Sequence, residues 1–96
     1  MDPFVDLGAR PQLLPGVRLR YDHQTGSYLL LSPERGLLLN ESAAAIARRC
    51  DGTRPVSNIV SELVRDGVPA GQATADVCAL LDQLSERGLV RLRGES

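Results

Sequence analysis

The chain has 96 residues with 11 basic and 12 acidic side chains, a net charge of -1 and only 3% aromatics. At this size one domain buries about 65% of the surface its unfolded chain exposes, so a second core is excluded and Leu, Val, Ile and Ala must fill the first. Every basic residue is Arg, and the near-neutral balance argues against a general nucleic-acid module, which is normally basic.

Residues 1–16 carry prolines at 3, 11 and 15, which remove backbone donors and favour extended conformations. They read as an arm preceding a single domain over 17–96. Phe4, Val5, Leu7, Leu13 and Leu14 make the arm apolar enough to lie on the domain or on a second copy, and exchange of the arm or of a strand would give a homodimer.

Val17, Leu19 and Tyr21 alternate with Arg18, Arg20 and Asp22, the period of a strand with one buried face. HQTG (23–26) turns the chain, SYLLLS returns as a second strand, PERG (33–36) turns it again and GLLLN (36–40) is a third. Leu37, Leu38 and Leu39 cannot share one face. The second face is either covered by the arm or lines a binding groove, and the strand has no Lys or Pro to guard an open edge.

Asn40 suits an N-cap, with Glu41 inside the first turn and Gly52 as the stop. Val56, Ile59, Val60, Leu63 and Val64 form the apolar stripe of a second helix with Pro55 in its first turn. A third helix spans about 70–87, with Ala73, Val77, Leu80, Leu81 and Leu84 inside and Gln72, Asp76, Asp82, Gln83 and Glu86 toward water. Leu89, Val90 and Leu92 follow as an extended tail. Three strands and then three helices predict an α+β, winged-helix-like domain, a three-stranded antiparallel sheet followed by a three-helix bundle.

The joint RRCDGTRPVSNIV (48–60) resembles that of a helix-turn-helix, so a winged-helix DNA-binding regulator is the alternative reading. Against it, the third helix carries Asp76, Asp82 and Glu86 with one Arg87 at its end, and would be repelled from a groove; only Arg48, Arg49 and Arg54 favour it. No nucleophile with a base, phosphate loop or metal-ligand spacing is visible, and His23 stands alone in a turn, so neither an enzyme nor a cofactor is expected. Cys50 and Cys78 sit in no paired spacing and no leader pattern precedes them, which implies two core thiols in a reducing cytoplasm. The longest apolar runs are too short for a bilayer.

GVRLRYD (16–22), LLLSPE (29–34), LLLNESAAAI (37–46), CDG (50–52) and DV (76–77) followed by Leu81, Leu84 and Gly88 together resemble the PqqD family of pyrroloquinoline quinone biosynthesis, peptide-recognition domains for ribosomally made peptides. The resemblance implies a non-catalytic chaperone in which a PqqA-like precursor adds as a strand to the third strand and rests on the third helix. Delivery would be to a PqqE-like radical S-adenosylmethionine enzyme that cross-links a Glu and a Tyr of the peptide. The peptide contacts so implied are Arg35, Leu37, Leu38 and Leu39 on the strand and Asp76, Val77, Leu80, Leu81 and Leu84 on the helix. The chain departs from the family in having Arg54-Pro55 in place of a Thr-led cap and no aromatic before the third helix.

Overall fold

The computed structural model describes residues 6–33 and 35–94. The elements run β1 (Arg10–Leu13), β2 (Arg18–Asp22), β3 (Ser27–Leu31), β4 (Gly36–Leu39), α1 (Glu41–Arg48), α2 (Val56–Arg65), α3 (Ala70–Glu86) and β5 (Val90–Arg93). The expected α+β arrangement is present: β2, β3 and β4 form an antiparallel sheet in that order, followed by three helices. The strand expected third is therefore β4. A second, two-stranded sheet of β1 and β5 was not foreseen.

The register of the larger sheet pairs Leu19 with Leu30 and Leu30 with Leu37, placing these leucines on the face that meets the helices. Leu30 and Leu39 there join Ile46 of α1, Ile59 and Leu63 of α2, and Val77, Leu81 and Leu84 of α3 in one core. Strict alternation would bury Tyr21 too, yet it is 43% exposed. Its ring sits at the hairpin end of an outer strand, 4.8 Å from His23 and 4.9 Å from Tyr28, and packs on those rings instead of entering the core.

α1 begins as the sequence predicts, with Asn40 Oδ1 accepting from the Ala43 N–H at 2.8 Å. After α1, Gly52 turns the chain at φ +85°, with Gln12 atoms 3.0 Å from where a Cβ would stand, so no other residue fits without displacing that side chain. The Gly52 N–H donates to the Pro11 carbonyl at 2.9 Å, and the Leu13 N–H to the Cys50 carbonyl at 3.0 Å. β1 is thus held on both sides, by β5 and by residues 50–52.

α2 opens at Pro55 without a side-chain cap. The arm supplies what is missing: the Val56 N–H donates to the Ala9 carbonyl at 2.9 Å and the Ser57 N–H to the Leu7 carbonyl at 3.0 Å. Two of the free amides of the first turn are satisfied in this way. Ala9 and Pro11 are buried by the same docking. The arm lies on its own chain at α2 and β5, while Phe4 and Val5 lie outside the described residues. Among the described residues no helix is long and apolar enough to cross a membrane.

Candidate functional site

Three strand edges have no partner strand among the described residues, those of β2, β4 and β5. On β4, Ser32 and Arg35 exchange backbone bonds at the hairpin, Ser32 N–H to Arg35 O at 2.9 Å and Arg35 N–H to Ser32 O at 3.3 Å. Because bonded and non-bonded pairs alternate along an antiparallel ladder, Leu37 and Leu39 turn their peptide groups toward β3, whereas Gly36 and Leu38 turn theirs outward. On β5, the Leu14 N–H donates to the Leu89 carbonyl at 3.0 Å, and the same alternation turns Val90 and Leu92 outward. The edges differ in chemistry. Exposed arginines guard two of them, Arg18 and Arg20 on β2 and Arg91 and Arg93 on β5, while β4 presents glycine and leucine.

Leu38 is 67% exposed, and the described arm does not cover it. It stands across from half-buried Leu29, with Arg20 next in the row, on the sheet face away from the helices. One residue beyond β4, Asn40 lines a cleft between α1 and α3 of about 330 Å³, together with Ser42, Ala43 and Ile46 of α1 and Gln72, Asp76, Ala79, Leu80 and Gln83 of α3. The C-terminal end of β4 therefore adjoins this cleft.

The nine expected contact residues fall into four places. Leu38 is open, Leu37 is half-buried, and Asp76 and Leu80 reach the cleft, Asp76 on its rim and Leu80 as part of its floor. Leu39, Val77, Leu81 and Leu84 are spent on the core. Arg35 is exposed at the far end of β4, beside a hollow shared with Val17, Ser32 and Arg87. The sequence reading did not single out Asn40, Ser42, Ala43, Ala79 or Gln83 as cleft residues. Gln72, Asp76, Ala79 and Gln83 do recur at helical spacing beside the apolar stripe of α3, and that second stripe was the available signal.

The arginines that favoured DNA are committed within the chain. Arg49 Nε donates to Glu62 at 2.7 Å and its Nη2 meets Asp66 at 3.3 Å. Arg54 pairs with Glu62 at 3.3 Å and Asp51 at 3.6 Å, and the Arg48 guanidinium lies 5.7 Å from the centre of the Tyr28 ring. The Thr53 hydroxyl and N–H hold the Asp51 carboxyl below its ordinary value. Cys50 and Cys78 are both free. Burial, with the neighbouring Asp51 charge adding to it, pushes the Cys50 thiol up to about 12, and its Sγ donates to the Ile46 carbonyl at 3.3 Å. Such a thiol packs and does not react.

Comparison with known proteins points to one family. The family model described as Coenzyme PQQ synthesis protein D (PqqD) matches residues 27–90, from β3 into β5. The chain belongs to the PqqD family. A PqqD relative from Xanthomonas euvesicatoria pv. vesicatoria, named PqqA binding protein, is 40% identical over 85 residues, covering 88% of this chain and 92% of its own. A protein of the same name from Xanthomonas campestris pv. campestris is 35% identical over 83 residues, covering 85% and 90%. Among solved structures, the PqqD truncation of Methylobacterium extorquens PqqCD, described as a stand-alone recognition element for ribosomally synthesized and post-translationally modified peptides, superposes with a TM-score of 0.74 at 32% identity. It covers 84% of this chain and 87% of that one.

Proposed function

We propose that this chain is a non-catalytic peptide chaperone of pyrroloquinoline quinone biosynthesis, which takes up a PqqA-like precursor as a strand on β4 and presents it to a PqqE-like radical S-adenosylmethionine enzyme in the cytoplasm. The reading rests on one observation, the unguarded β4 edge, which turns peptide groups outward at Gly36 and Leu38 and whose C-terminal end adjoins the cleft between α1 and α3. Support comes also from the relatives named PqqA binding protein and from the solved recognition element.

Strand addition supplies affinity through backbone bonds and selectivity through side-chain pockets. Gly36 and Leu38 each offer one N–H and one C=O, and such bonds contribute about 1 kcal/mol net apiece. With one or two apolar anchors against Leu38 and Leu80 the affinity falls in the micromolar range, about -8 kcal/mol, which suits a carrier that must release its cargo.

The test is an isotope-edited NMR titration of the labelled protein with the precursor peptide encoded beside its gene. Amide shifts should cluster at residues 36–40 and along the cleft face of α3, at 72, 76, 79, 80 and 83. Shifts spread over α2 or confined to β5 would contradict the proposed mode.

A further inference from the structure

We infer that the cleft between α1 and α3 is a subsite for the side chain of a lysine or arginine in the bound segment. This deepens the peptide-binding reading and rests on it for the identity of the ligand, although the cleft's preference for a cation can be measured alone.

The cleft is amphipathic in depth. Its floor is apolar, made by Ala43, Ile46 and Leu80, and its rim on α3 is polar, made by Gln72, Asp76 and Gln83. A narrower hollow of about 150 Å³ adjoins it, shares Ile46, Gln72 and Asp76, and extends the apolar wall with Leu63 and Val68. A long basic side chain matches this layout, since it lays an aliphatic stem on apolar surface and carries its charge at the tip. An apolar side chain of the same length would shut water away from the carboxylate and the two amides without replacing its hydrogen bonds, which is costly. An acidic side chain would face like charge.

The charges agree. Asp76 is half-buried and has no ion-pair partner among the described residues. Asp66, which also borders the narrower hollow, is already 3.3 Å from Arg49. No residue of α3 is basic, and Asp76 is the one charged side chain among the residues that line the cleft, so the cleft favours a cation.

Two experiments test the assignment. In the first, n-butylguanidinium chloride is titrated into labelled wild-type protein and into Asp76→Asn, with n-pentanol as the uncharged control. The guanidinium should give saturable amide shifts at 42, 46, 72, 76 and 80 in the wild type and bind Asp76→Asn about fivefold more weakly. Asp76→Asn keeps the size of the side chain, and its amide spectrum reports whether the fold is kept. Equal responses of the two proteins, or an equal response to pentanol, would overturn the subsite.

In the second, the precursor peptide has each Lys or Arg replaced by Met in turn. One replacement should weaken binding to the wild type by about fivefold while leaving binding to Asp76→Asn unaltered. If the peptide binds and no position is coupled to Asp76, the subsite is wrong and the peptide-binding reading stands. If the peptide does not bind while the guanidinium does, the peptide-binding reading falls and the cleft keeps its preference.

Discussion

Replacing Leu38 with proline removes one outward N–H from β4 and places a ring where an incoming backbone must lie. The β3–β4 ladder should survive, because the amides that bond β3 belong to Leu37 and Leu39. Proline is tolerated on an edge strand when its missing donor faces solvent, and the leucine side chain given up is mostly exposed, so the cost in stability should stay within about 1 kcal/mol. For a bound peptide the loss is larger. One backbone bond goes directly and the ring crowds those at Gly36, which amounts to about 1.5 kcal/mol, or roughly tenfold in affinity. Leu92→Pro is the matched control, since Leu92 turns its amide outward from β5, a guarded edge. Fluorescence anisotropy with a labelled precursor peptide measures affinity, and circular dichroism on the same samples confirms folding. If Leu38→Pro binds as the wild type does, or if both variants lose affinity equally, strand addition at β4 is refuted.

Other consequences follow from the packing. Deleting residues 1–9 removes both carbonyls that hold the first turn of α2 together with buried Ala9, so thermal unfolding should fall by about 10 °C, equivalent to about 2 kcal/mol for a domain of this size. Arg49→Ala leaves Glu62 with Arg54 as its remaining partner and gives up the bond from Nη1 to the Ala45 carbonyl, so it should cost about 1 to 2 kcal/mol in urea unfolding, against less than about 0.5 for Arg48→Ala. The Cys50 thiol stays protonated in the folded chain up to about 12 against an ordinary 9.0, so above pH 9 the unfolded chain releases a proton that the folded one retains. Its contribution to stability is complete below pH 9 and is lost as pH rises toward 12, by about 1 kcal/mol at pH 10. Comparison of the wild type with Cys50→Ala in thermal melts at pH 7 and pH 10 checks this, and a chain without lysine gives few competing titrations in that range.

The larger sheet and the helices could be read because their signals are local: alternation in VRLRY, the Asn40 cap, and stripes at helical spacing in α2 and α3. Features that depend on residues far apart in the chain could not. The pairing of Arg10–Leu13 with Val90–Arg93 joins the two ends of the chain, and neither segment carries a pattern that names its partner. Of the candidate site, the open strand β4 and the α3 wall of the cleft were legible, and the α1 wall was not. Side-chain assignment within α3 was limited for a geometric reason, since Val77, Leu81 and Leu84 define the face that meets the core, and the residues bordering the cleft stand one step around the helix. Arg54-Pro55 reads as the loss of a cap, because a compensating carbonyl has no sequence signature at all.

That compensation decides what kind of change the arm can absorb. Carbonyl oxygens are common to all amino acids, so the identities at 7 and 9 are free to drift within the space available, while the spacing from there to Pro11 is not. An insertion or deletion of one residue in this stretch would bring the wrong peptide units under the helix. Homologues sharing the uncapped Arg-Pro start should therefore vary in composition there and agree in length.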